Sequence, residues 1–331
     1  AKQEIKSAKQ ETTFTVSYFL KRHQELTALI AFIGLYIIFY YINPLLNTVD
    51  SWSSLLLTAS EDGIVALFVT LLLIAGEFDL SVGSVFVLGG MSFGILVNSG
   101  FNPAVALALS LIFSALVGVV NGIITVYLNV PSFMTTLGTS YALLGLILIT
   151  TGGFPVSIYR SSVPFWYILS GSIATLNAWT LWFISLAIIT YIILEHTRFG
   201  NHIFATGGSV RSAYAVGVNV RLVKIILFIL SALFAGFDGI LSLMYFTSIS
   251  PVEGETMPLL ALAIAVIGGA PLTGGVGKIQ GTVVAALIIG LLYVGLTLAK
   301  VPSYWYITFV GILLVAIAFV NQKLTGRKLI E

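Results

Sequence analysis

Long apolar runs alternate along this chain with short polar gaps, and the gaps collect most of its glycines, prolines and charges. Reading the runs between those breakers predicts ten helical spans, near residues 26–42, 63–76, 82–97, 103–128, 133–150, 179–194, 222–246, 259–270, 279–298 and 304–320. A helix of about twenty apolar residues crosses a hydrocarbon layer of about 30 Å. The second and eighth runs are shorter and meet glycine-rich breaks, which makes them candidates for half-helices. The flanks, residues 1–25 and 321–331, are polar. The first holds no apolar stretch of the kind a secretion signal needs. They read as a cytoplasmic lead-in and a cytoplasmic tail around a transmembrane domain over 26–320.

Composition sharpens that picture. The 331 residues are 58% hydrophobic and 8% charged, where a soluble domain carries about 25% charged residues. Most of the surface therefore meets lipid, and the expected fold is all-α, polytopic and membrane-embedded. A net charge of +2, scattered between apolar runs, gives no footprint for nucleic acid. The chain has no cysteine, and His23, His196 and His202 form no paired ligand motif. No metal and no cofactor are expected.

Charge position orients the spans. With the N-terminus inside, Lys2, Lys6, Lys9, Lys21, Arg22, Arg198, Arg211, Arg221, Lys224, Lys278, Lys323, Arg327 and Lys328 all fall on the cytoplasmic side. Only Arg160 and Lys300 fall outside. Basic residues concentrate in cytoplasmic loops, so an even count of ten with both termini cytoplasmic fits. Two echoes suggest inverted repeats. Val130-Pro131-Ser132-Phe133 recurs as Val301-Pro302-Ser303-Tyr304, and Gly76–Gly83 is loosely matched by Ala270–Gly277. Inverted repeats are common in transporters, with broken helices at their interface.

The string Leu272–Ile279 is the nearest approach to a phosphate-binding loop, but it lacks that loop's first glycine and its hydroxyl. The chain binds no nucleotide by that route. Glu77 and Asp79 interrupt two apolar runs beside glycines. Carboxylates at membrane depth are expensive and are functional candidates by default, although Asp79 with Ser81 also suits a helix cap. Asp238 stands in the middle of the seventh span and needs a partner, a watery route or an interface. Asn121 in the fourth span, flanked by Gly118 and Gly122, suits close packing. The fifth span opens with Ser132, Thr135, Thr136, Thr139 and Ser140. Those hydroxyls either bond back to their own helix or form a polar stripe with Phe133 as an aromatic gate. The longest cytoplasmic loop, 196–221, carries a short helix from Ser209 to Val216, with Ser209 as N-cap and Gly217 as stop.

Several of these blocks together resemble the permeases of the ribose/xylose/arabinose/galactose class of ABC importers. The carriers are Gly76-Glu77-Phe78-Asp79-Leu80-Ser81-Val82-Gly83-Ser84, then Pro131-Ser132-Phe133 with Thr136-Leu137-Gly138-Thr139 and Thr151-Gly152-Gly153. They continue through Ala205-Thr206-Gly207-Gly208 with Ala213, Ala215 and Gly217, and end in Val266-Ile267-Gly268-Gly269 with Gly274–Gly277 and Gly281-Thr282. The resemblance runs from about Ile64 to Val320. It implies a permease subunit in the cytoplasmic membrane that moves a monosaccharide, a pentose or hexose, delivered by an extracytoplasmic sugar-binding protein. It also implies separate ABC ATPase subunits as the motor, and a second permease, identical or paralogous, as partner. Phe133, Thr135, Thr136, Thr139, Asn121, Glu77, Asp79 and Asp238 would then belong to the route or its gate. Gly207, Gly208, Arg211, Ala213, Tyr214, Ala215 and Gly217 would couple it to the ATPase. The alternative is a secondary transporter that uses Glu77 and Asp238 as proton or sodium ligands.

Overall fold

The computed structural model describes residues 24–302, 304–312 and 315. In chain order the long helices are α1 (Gln24–Ile42), α2 (Val49–Ile74), α3 (Val82–Asn98), α4 (Pro103–Tyr127) and α5 (Ser132–Thr151). A short α6 (Trp166–Ser170) leads to α7 (Ala178–His196). Then come α8 (Arg198–Gly208), α9 (Val210–Ala215), α10 (Val220–Phe246), α11 (Met257–Ile267), α12 (Ile279–Leu298) and a final helical stretch, α13, over 304–312. Nearly all of the lead-in, the end of the tenth predicted span and the C-terminal tail lie outside the described residues.

The protein is mostly helical, and among the described residues six helices (α2, α4, α5, α7, α10 and α12) are long and apolar enough to cross a membrane. The all-α expectation needs one amendment. Four two-residue strands form two antiparallel pairs, one joining Val156–Ser157 to Ser248–Ile249 and the other Ser172–Ile173 to Leu176–Asn177. The first pair clasps the loop after α5 to the end of α10. Arg160 closes the same corner by donating from Nε to the Met244 carbonyl at 3.0 Å and from Nη2 to that of Tyr245. A cation there satisfies terminal carbonyls and favours the helix dipole.

The two short spans resolve differently. The second is no half-helix: it starts at Val49, where the Thr48 hydroxyl accepts the Ser51 N–H at 3.3 Å. The eighth does stay short. Met257–Ile267 has 11 residues, about 16 Å of helix, and stops at Gly268 and at Gly269, whose φ is +97°. The sequence echoes do not extend into one repeat. Two helices, α3 and α4, separate the first pair of motifs, whereas α12 alone separates the second.

α2 lies at the centre, with 83% of its most apolar stretch buried against 17% for α5. α10 packs along α3 and α4 by backbone approach. A Cβ placed on Gly239 would lie 1.8 Å from the Phe86 carbonyl oxygen of α3, and one on Gly118 of α4 would lie 2.5 Å from the Phe228 oxygen of α10. Helices that lack a hydrophobic drive toward one another in lipid gain attraction from such contact.

Candidate functional site

The chain breaks between α2 and α3, and that break organises the polar interior. Gly76 turns with φ +85°, and the next N–H groups need acceptors that helix geometry no longer supplies. α5 supplies two of them. Phe78 N donates to Ser132 Oγ at 3.1 Å, and Leu80 N to Thr136 Oγ1 at 3.0 Å. These acceptors sit four residues apart, on one face of α5. One turn further on, Ser84 Oγ lies 2.9 Å from Ser140 Oγ.

Asp79 extends the network in three directions. Its Oδ1 accepts from Ser81 N at 3.0 Å and Ser81 Oγ at 2.6 Å, and its Oδ2 accepts from Ser231 Oγ of α10 at 2.8 Å. Asn121 of α4 donates from Nδ2 to Ser81 Oγ at 2.9 Å, and Thr139 of α5 donates to Asn121 Oδ1 at 2.7 Å. Asp79, Ser81, Asn121 and Ser231 are all buried. Local turn and long-range network thus coincide at this residue.

Glu77 pairs with Lys224 in the first turns of α10, with only 11% and 17% of the Glu77 and Lys224 side chains exposed. Lys224→Met is expected to cost about 1–2 kcal/mol, between the values of exposed and fully buried pairs. Glu77→Gln should recover part of that in the double variant. Thermal unfolding of the four proteins in detergent checks it, and strictly additive losses would count against the pair.

Asp238 stands apart. Trp179 Nε1 of α7 donates to its Oδ1 at 2.6 Å, and its buried Oδ2 has no hydrogen-bond partner among the described residues. Fourteen residues of α10 separate it from Lys224, about 21 Å along the helix. Glu77 and Asp238 therefore cannot share one ion. Glu61 and Asp62 of α2 lie within electrostatic reach of Asp238. Sequence reading missed both because it began the second span at Gly63; the signal was Thr48-Val49-Asp50, a cap with an acidic first turn.

On α5, Phe133 is 52% exposed, while the buried Thr135 Oγ1 has no hydrogen-bond partner among the described residues. The predicted stripe thus divides. Thr136 and Thr139 bond the break and α4, whereas Phe133 and Thr135 remain uncommitted.

The loop after α7 folds as a helical hairpin. Thr197 caps α8 by accepting from Gly200 N at 3.2 Å, and Ser209 caps α9 by accepting from Ser212 N at 3.2 Å. Gly217 ends the hairpin with φ +82°. The sequence pattern located α9 and its stop but missed α8, which buries Gly200, Ile203 and Thr206 at a spacing of three. In α9 only Ala213 is buried, and Arg211, Tyr214 and Ala215 are exposed. Arg211 and Tyr214, three residues apart, share a face. Gly207 packs against the end of α2, while a Cβ added to Gly208 would meet nothing within 4 Å.

The family described as branched-chain amino acid transport system / permease component matches residues 51–318. The chain is 32% identical over 320 residues to the ribose import permease protein RbsC of Escherichia coli K12, covering 94% of this chain and 99% of that protein. It is 33% identical over 319 residues to the probable ABC transporter permease protein YphD of the same strain, with 96% of each covered. With the autoinducer 2 import system permease protein LsrC of Photorhabdus luminescens it shares 29% over 310 residues, 92% of each. No solved structure matches the chain.

Proposed function

The chain belongs to the ABC-importer permease components whose members include ribose and autoinducer 2 import permeases, and from that premise we propose that it carries a pentose or hexose across the cytoplasmic membrane. Membership makes it a multi-pass transport subunit. In the proposed complex an extracytoplasmic binding protein delivers the sugar, two permease subunits enclose the route, and separate ATPase subunits drive it. Ten spans with both termini cytoplasmic, and loop 196–221 on the cytoplasmic side, accord with the charge distribution, and the family resemblance gives that loop its coupling role.

The observation that carries this reading is α9. A short helix anchored through Ala213, with Arg211, Tyr214 and Ala215 turned outward, is built to enter a cleft of another protein. Gly207, Gly208 and Gly217 leave the chain around it slim. For cargo, the family description names branched-chain amino acids, but a zwitterion on a buried route calls for a partner of each sign. Both carboxylates of the break are engaged, Asp79 by Ser81 and Ser231, and Glu77 by Lys224. The uncommitted Thr135 and Phe133 offer a hydroxyl and an aromatic face, which suit a neutral polyol. Thr136, Thr139, Asn121 and Asp79 hold the gate in register behind them.

Arg211→Glu tests the coupling. The side chain is exposed, so the variant should fold. Its complex with ATPase and binding protein should lose sugar-stimulated hydrolysis by about tenfold, the effect of about 1.4 kcal/mol. Unchanged stimulation would remove α9 from the interface. The ion-coupled alternative finds no support, since Glu77 is paired with Lys224, which stands about 21 Å along α10 from Asp238.

A further inference from the structure

Three segments distant in sequence meet through bare backbone at the hairpin end of the molecule. They are the end of α2 at Ile74–Gly76, the end of α8 at Gly207–Gly208, and the turn between α11 and α12 at Gly274–Gly275. Gly275 N donates to the Ile74 carbonyl at 2.8 Å. A Cβ on Gly207 would lie 1.8 Å from that same oxygen and 2.7 Å from Gly275 N. One on Gly274 would lie 2.9 Å from Gly76 Cα, and one on Gly275 would lie 3.0 Å from Gly208 Cα. Gly76, Gly274 and Gly275 also take φ values of +85°, +72° and +82°, a region that side chains disfavour.

Contacts of this kind transmit displacement differently from packed side chains. A side chain absorbs a shift by changing rotamer; a backbone-to-backbone contact has no rotamer to change. The two echoed sequence motifs, Gly76–Gly83 and Ala270–Gly277, are the segments that meet here, with α8 wedged against both. We propose that these glycines form a rigid joint that makes the end of α8, the end of α2 and the turn into α12 one body. Gly207 and Gly275 are then positioning residues. Motion imposed on the α8–α9 hairpin goes straight to the buried helix α2 and to α12, which α2 also meets through the 3.0 Å Thr70–Thr282 hydroxyl contact. It reaches the Asp79 network through the break that begins at Gly76. This rests on the coupling role assigned to the hairpin above.

The chain has no cysteine, so paired spin labels report on it directly. Asn201→Cys on α8 and Leu272→Cys on the turn, both exposed, measure across the joint. Leu272→Cys with Tyr159→Cys measures from the joint to the opposite end of α10. In the complete complex, ATP should leave the first distance unchanged and shift the second by several ångström. A first distance that changes with ATP overturns the joint. If neither moves, the hairpin does not couple to an ATPase and the reading beneath the joint fails. As a second measure, Gly275→Ala should lower the sugar carried per ATP severalfold while ATPase binding persists. An unaltered ratio would contradict the proposal.

Discussion

Gly239→Val should abolish recovery of folded protein. The added Cβ would sit 1.8 Å from the Phe86 oxygen, 2.7 Å from its carbon and 3.2 Å from Gly90 N. All three are backbone atoms of α3, so no rotamer change makes room. α3 would have to lift off α10 along a contact that continues one turn away, where a Cβ on Gly89 would meet the Gly236 oxygen at 2.2 Å. Overpacking typically costs about 1–3 kcal/mol, and a backbone obstacle belongs at or above the top of that range. Against a total stability of about 5–15 kcal/mol, a loss of that size or more takes a large share of the margin. Gly34→Val on α1, where nothing lies within 4 Å of the added Cβ, should behave as wild type. Size-exclusion profiles and melting in detergent decide, and a monodisperse Gly239→Val protein with an unchanged Tm would refute the α3–α10 contact.

Asp79→Ala should be nearly as damaging, but through the polar interior. It removes the acceptor for Ser81 N, Ser81 Oγ and Ser231 Oγ together. Hydrogen bonds to charged groups contribute about 1.5–3 kcal/mol each, and local relaxation returns part, so a loss of about 3 kcal/mol is expected. The break would then lose its link to α10 and its register with Asn121 and Thr139, and transport should fall more than tenfold. Asp79→Asn keeps one carbonyl oxygen for Ser81 and should fall between. Tm and uptake measured side by side check this; full activity of the alanine variant would remove Asp79 from the working structure.

Hydrophobic periodicity located a helix at each of the first nine predicted spans and at the described start of the tenth, because lipid imposes a simple rule on apolar runs. It erred where polar residues sit inside a helix. Glu61 and Asp62 made α2 look as if it began at Gly63, although a cap at Thr48 and burial by α12 and α7 carry the helix through them. α8 escaped notice because glycine at three of its eleven positions masks its period. Ser209 and Gly217 were legible as boundaries of α9 because caps and left-handed stops are local chemistry. Which hydroxyls of α5 do structural work was not legible, since Ser132 and Thr136 are set apart from Thr135 only by the break folded against them. Nor could spacing show that Glu77 meets Lys224, 147 positions away.

Vesicle uptake distinguishes ATP-driven sugar import from ion-coupled import. The permease, ATPase and binding protein are reconstituted in vesicles, and labelled pentose and hexose uptake is followed with ionophores collapsing proton and sodium gradients. ATP-driven import requires uptake that needs ATP and the binding protein and is indifferent to the ionophores. Uptake without ATP that vanishes when the gradients collapse would contradict it.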